Sequence, residues 1–205
     1  RTHLRLPNAQ LEIISKFKEY NENIVVLLSN GAPVVMPFED EVKGIMECYL
    51  LGQAGSVAIA KVISGEVNPS GKLAETFPMR LEDTPSYLNF PGDGYKVEYK
   101  EGVFVGYRHY DSKDIKPQFC FGHGLSYTDF TYGQVKVDKC DVKDTDEITV
   151  SIDVTNTGEV FGKEVVQLYV SDMQKAVTRP LKELKGFVKL ALNPGETKTA
   201  EFKLN

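Results

Sequence analysis

The run YKEGVFVGYRHYD, Tyr99 to Asp111, sets Glu101, Arg108 and His109 among closely spaced tyrosines. A carboxylate among aromatic rings suits sugar chemistry, and hydrolysis of a glycosidic bond needs two such acids, one ionised and one kept protonated by its surroundings. Glu39, Asp40 and Glu41 form too polar a cluster and suit a helix start. Glu82-Asp83 precedes Thr-Pro and reads as loop solvation. Glu101 is then the one acid with a site-like environment, and an internal ion pair with Arg108 would satisfy it equally well.

Other constellations are weaker. Ser29, Ser56, Ser64 and Ser126 could pair with His3, His109 or His123, but no Gly-x-Ser-x-Gly elbow surrounds any of the serines. The histidines lack the spaced partners of a metal site. GQAGSVAIA at a strand-to-helix junction could cradle a phosphate, yet it lacks the full glycine spacing and the P-loop Lys-Ser/Thr. Close packing of a small-residue helix explains it better. Cys48, Cys120 and Cys140 are odd in number and irregularly spaced, which argues against disulfides and zinc and for idle thiols in a reducing compartment.

The 205 residues are 41% apolar without a long hydrophobic run, so the chain reads as soluble and globular with no membrane span. A net charge of −5 with no basic tract excludes a nucleic-acid surface. No signal peptide is visible, and Arg1 reads as a start within a longer protein.

The elements that would position these groups fall into two styles. Leu6, Ile13, Ile14 and Phe17 in LPNAQLEIISKFKEY have helical spacing, with Pro7 suited to a first turn. NIVVLLSN reads as a strand buried on both faces. A second helix is expected over Glu39–Met46, a strand at CYLL, a helix opening after Gly52, and a turn at NPSGK. Helices alternating with apolar strands predict a largely parallel sheet. Residues 78–127 are rich in Pro, Gly and aromatics with little periodicity, as expected of a segment that wraps a surface or serves a site. From Thr131 the pattern is all-β: EITVSIDVTN, EVVQLYVSD, LKGFVKLAL and TKTAEFKLN alternate, with turns at Asn156-Thr157-Gly158 and Asn193-Pro194-Gly195. Roughly five strands are expected where such sandwiches have about seven.

NPSGKLAETFP, FVGYRHYD and FGHGLSYTDF, in that order and followed by β-strands, resemble the family-three glycoside hydrolases of the β-glucosidase type. RTHLRLPNAQ and GQAGSVAIAKVISGEVNPSGKL fit the same pattern, so the likeness covers nearly the whole chain. The resemblance implies an α/β plus all-β fold: residues 1–127 as part of an (α/β)6 sandwich domain, including the wrapping segment 78–127, and residues 128–205 as a fibronectin type III-like (Ig-like) β-sandwich, incomplete at its C-terminal end. It further implies a retaining exo-β-glucosidase releasing terminal glucose from β-linked glucosides or oligosaccharides, with β-xylosidase or N-acetylglucosaminidase as alternatives within the family. An acid/base Glu is implied about four residues before Arg1, which matches the last residue of a Glu-Gly-x-Asp-Arg segment. The nucleophilic Asp is implied on an absent (α/β)8 barrel, so this stretch would carry neither catalytic carboxylate. Cys120 stands where the family usually has Pro, and Ala54 where an acid is common.

In the YKEGVFVGYRHYD run, Val103, Val105 and Tyr107 are expected on one face of an extended segment, with Phe104, Arg108 and Tyr110 on the other. It would dock neighbouring pieces and frame the active-site mouth. Glu101, Tyr107 and Arg108 are the candidate substrate-binding residues. No cofactor or metal is implied, and the partners implied are the sugar and the barrel, with neither nucleic acid nor membrane. The β module could brace the sandwich or serve a homo-oligomer, and a cytoplasmic, bacterial-type enzyme is the favoured setting. A different class, a non-catalytic carbohydrate-binding or adhesion module, stays open.

Overall fold

Pro7 opens the first helix, α1 (Asn8–Lys18): its carbonyl accepts the N–H groups of Gln10 and Leu11 at 3.0 and 3.4 Å. In this computed structural model, which describes residues 2–143, 145–174 and 176–205, Leu11 and Ile14 rest on the core. Ile13 and Phe17, expected on the buried face, are 54% and 64% exposed, because the apolar layer beneath α1 ends at Ile14. Arg1 and the catalytic segment implied before it lie outside the described residues.

Strand β1 (Val25–Leu28) pairs in parallel with β2 (Gly44–Glu47), Val25 opposite Gly44 and Leu28 opposite Glu47. The second strand corrects two expectations. Glu39–Glu41 make one 3₁₀ turn, after which Val42 is extended and the Lys43 N–H donates to the Ile24 carbonyl at 2.8 Å. Sheet pairing therefore overrides the acidic helix-start signal, as Gly44 and Ile45 are not strong helix formers. The strand also comes earlier than CYLL: Cys48 N–H still reaches the Leu28 carbonyl, but Tyr49 turns to φ +50. Helix α2 (Gly55–Ile63) comes next, as its small residues predict.

Residues 78–117 form a long excursion closed at its base by an antiparallel contact between Phe77 and Phe119. Phe77 N–H donates to Phe119 O at 2.9 Å, Gln118 N–H to Phe77 O at 2.8 Å, and Gly122 N–H to Leu73 O at 2.7 Å. Within it lie a 3₁₀ turn (Leu81–Asp83) and the seven-residue helix α3 (Tyr107–Lys113).

The all-β part has six strands among the described residues, one more than expected: β3 (Phe130–Tyr132), β4 (Lys136–Val137), β5 (Ile148–Asn156), β6 (Gly162–Val170), β7 (Glu183–Leu192) and β8 (Thr197–Leu204). The first two are short and largely exposed, which is why alternation does not reveal them. They pair antiparallel with β5, as does β8, while β6 and β7 form a second sheet with an irregularity at Leu168/Tyr169. Val154, Val166, Leu192, Ala200 and Phe202 from both sheets make its core. The fold is thus α/β plus a β-sandwich. The chain groups into two compact units, Arg1–Ala60 with Leu73–Gly122, and Lys61–Lys72 with His123–Asn205.

Asn156, fully buried, satisfies its amide completely inside the second unit. Its Nδ2 donates to the carbonyls of Val160 and Leu192 at 2.8 and 3.1 Å, and its Oδ1 accepts from Thr128 Oγ1 at 2.7 Å and Gly158 N–H at 3.1 Å. Removing it leaves several buried groups without partners, each costing about 1–3 kcal/mol. Asn156→Ala is expected to destabilise the second unit by about 3 kcal/mol or more in urea unfolding; a loss below about 1 kcal/mol would contradict this accounting.

Candidate functional site

Gly106 shapes the conspicuous aromatic run. With φ +54 and ψ −135 it occupies backbone space that residues with a Cβ avoid, and it turns the chain from the preceding loop into α3. Tyr107 to Lys113 are therefore helical, which corrects the two-faced extended reading. Tyr107 and Tyr110 now share a helix face. The Tyr107 ring stacks on Phe121 at 5.1 Å, Tyr110 is 5% exposed, and His109 meets the Tyr110 ring edge-on at 5.5 Å. The helix stops at Asp114, which is left-handed at φ +52.

Of the three candidate ligand residues, Tyr107 and Arg108 open α3, both half-buried. Glu101 sits in the turn before it, where its carbonyl accepts the Phe104 N–H at 2.9 Å. Its Oε2 is buried without a hydrogen-bond partner among the described residues.

Two further acids, one of them expected to be solvated and the other not singled out by its sequence context, have equally site-like surroundings. Asp83, expected in a solvated loop, is 7% exposed and takes the Arg80 Nε at 2.7 Å. An Arg–Asp pair three residues apart is the one signal of this in the sequence. Burial, and secondarily the Asp83 charge, push the Tyr110 phenol up to about 12. Glu47 ends β2 and accepts the Tyr49 N–H at 2.8 Å and Asn30 Nδ2 at 3.2 Å, while burial raises its pKa above the usual carboxylate range. Burial, then Glu75 and Glu47, lift the Tyr49 phenol to about 12.

The remaining candidates serve the framework. Ser29 Oγ donates to the Tyr49 carbonyl at 3.1 Å, Ser64 Oγ to the Lys61 carbonyl at 3.2 Å and Ser126 Oγ to Asn68 Oδ1 at 3.0 Å. Glu39 Oε2 accepts Gln118 Nε2 at 2.9 Å. Gly55, in the suspected phosphate loop, is buried, and a Cβ there would collide with Leu51. The three cysteines are free thiols, Cys48 buried and the other two exposed. No helix among the described residues is long and apolar enough to cross a membrane.

The glycosyl hydrolase family 3 C-terminal domain matches residues 1–107, and a fibronectin type III-like domain matches residues 164–205. The chain belongs to glycosyl hydrolase family 3. It is 58% identical over 205 residues to thermostable beta-glucosidase B of Acetivibrio thermocellus, covering 100% of this chain and 27% of that protein. A beta-glucosidase of Bacteroides ovatus is 43% identical, with 100% of this chain and 28% of that protein covered. The fold superposes on the Bifidobacterium adolescentis family 3 beta-glucosidase with a TM-score of 0.94 at 47% identity, covering 100% of this chain and 30% of that one. Beta-glucosidase 3B of Thermotoga neapolitana, solved with glucose, gives 0.90 at 36% identity, covering 98% and 29%. This family 3 chain thus spans about a quarter of the length of these curated relatives.

The Tyr110 environment fixes an alkaline response. Its folded pKa lies above the unfolded value of about 10, so the unfolded state releases its proton first. The stability it confers is complete below pH ~10 and is lost as pH rises toward about 12. Tyr110→Phe is expected to flatten the fall in urea midpoint across that window relative to the parent chain. An unchanged slope would show that Tyr110 does not titrate as its burial implies.

Proposed function

We propose that this chain is the α/β and fibronectin-like portion of a retaining β-glucosidase that releases terminal glucose from β-linked glucosides or oligosaccharides. The observation that carries the reading is 58% identity to a beta-glucosidase across all 205 residues. Sugar preference within the family, including xylosyl and N-acetylglucosaminyl alternatives, would be set chiefly by the barrel.

The portion supplies neither catalytic carboxylate. A retaining mechanism needs two acids about 5–5.5 Å apart, one an ionised nucleophile and the other a proton donor. Asp83 is held by Arg80, Glu47 by Tyr49 N–H and Asn30, and Glu164 by Lys72 and Tyr132. Such acids act as structure. Glu101 keeps a spare oxygen, and with Tyr107 and Arg108 it forms a half-buried polar and aromatic edge suited to hydroxyl contacts with bound sugar. Three free thiols fit a reducing, cytoplasmic setting.

Incubated with an aryl β-glucoside, the 205-residue chain is expected to give no turnover above buffer; measurable release of the phenol would overturn the assignment. In the complete enzyme, Arg108→Met is expected to raise KM about three- to tenfold with kcat nearly constant, the pattern of lost uniform binding. An unchanged KM would remove Arg108 from the sugar site.

A further inference from the structure

Parts of two motifs that carry the family likeness, NPSGK and the HGLSYT of FGHGLSYT, meet within the second unit. Asn68 is the centre of the contact. Its Oδ1 accepts Ser126 Oγ at 3.0 Å and the Tyr127 N–H at 2.8 Å, and its Nδ2 donates to the Phe161 carbonyl at 3.1 Å. Before it, Tyr127 Oη donates to the Val62 carbonyl at 3.0 Å, and the Val67 N–H to the Lys61 carbonyl at 3.0 Å. After it, Lys72 Nζ donates to the Gly124 carbonyl at 2.6 Å and lies 3.2 Å from Glu164 Oε2, whose other oxygen accepts Tyr132 Oη at 2.8 Å. Lys72 and Glu164 are only 16% and 12% exposed, so the pair is largely shielded from water. A Cβ on Gly124 would strike the Gly71 carbonyl oxygen, so the close approach itself requires glycine there.

We propose that residues 61–72 are a folding component of the β-sandwich, a clasp whose two halves are NPSGK and HGLSYT. It is neither a linker nor a ligand loop. A linker would leave its polar groups to solvent. Here one side-chain amide takes up a hydroxyl, an N–H and a carbonyl, and a shielded cation closes the other end. Those partners come from the 124–127 segment and from residues 161–164 at the start of β6, so the clasp and the strand it grips open together as one cooperative unit. The sandwich depends in this way on a segment placed well before its first strand in the chain.

Hydrogen exchange on the complete 205-residue chain tests this. In the parent, amides of 64–68 and of β6 are expected to exchange through the same opening, with matching response to low urea. Asn68→Ala is expected to speed exchange about tenfold or more in both regions, leaving β1 within about twofold. If Asn68→Ala fails to fold, Tyr127→Phe removes only the Val62 contact and is expected to accelerate both regions by a smaller common factor. Acceleration confined to 64–68, or no change in either region, would overturn the clasp, as would parent amides of 64–68 that exchange through a separate, lower-energy opening.

Discussion

Gln118 presents both ends of its amide to Met36, and this matters because the residues that make the core of the first unit come largely from chain without regular structure. Met36 is 2% exposed and belongs to neither a helix nor a named strand. Its N–H donates to Gln118 Oε1 at 3.1 Å and its carbonyl accepts Gln118 Nε2 at 2.8 Å. Buried backbone groups left unmatched cost about as much as the apolar contact gains, so Val34, Met36 and Phe38 can stay dry only if something replaces a ladder. Gln118 supplies part of that replacement, beside the Val35 N–H on the Leu4 carbonyl at 2.9 Å and the Glu39 N–H on the Met36 carbonyl at 3.1 Å, and its own backbone closes onto Phe77. One residue therefore joins the loop after β1 to the base of the 78–117 excursion.

Anchored at that base, the excursion carries a gradient of order along its length. Three backbone hydrogen bonds tie its lower end, together with Phe77, 1% exposed. Midway, Asp83 and Tyr110 supply a second anchor. Between them Leu88, Phe90, Tyr95 and Tyr99 are 60% exposed or more, and the ion pairs Lys96–Glu98 and Lys100–Glu98 are solvent-facing and worth little. Segments with few buried contacts open at low free energy, and binding surfaces are drawn from that end of the scale. The half-buried Glu101, Tyr107 and Arg108 sit where the chain passes from the loose stretch to the anchored helix.

Periodicity reveals those elements whose burial decides their conformation. Strands β5 to β8 each put alternate residues into one core, and α2 arises from a run of small apolar residues. It misses elements fixed by partners distant in sequence. Val42 to Glu47 come after an acidic cluster that reads as a helix start, yet they form a strand because β1 offers an edge. The VFVGYRHY stretch reads as a two-faced extended segment on paper, yet the chain from Tyr107 becomes a helix because Gly106 redirects it and Tyr107 stacks on the Phe121 ring. Asp83 looks solvated in the sequence, since nothing local to it except Arg80 hints at burial beside Tyr110. The family motifs are legible as a set, while the physical role of NPSGK is not, since its partners lie more than fifty residues away.

Among the described residues the second unit sets a four-stranded sheet against a two-stranded one. A two-stranded sheet is marginal by itself, so β6 and β7 depend on burying Val166, Leu168, Val188, Leu190 and Leu192 against the β5–β8 sheet. Their outer face remains, with Phe187 70% exposed between Lys185 and Lys189. Lys185 pairs with Glu183 at 2.7 Å beside that ring, and the β6–β7 register shifts at Leu168/Tyr169. At the start of β6, Asn68 donates to the Phe161 carbonyl and Lys72 lies 3.2 Å from Glu164. Apolar burial thus supplies most of the sandwich's stability, whereas its polar contacts decide which strand lies where.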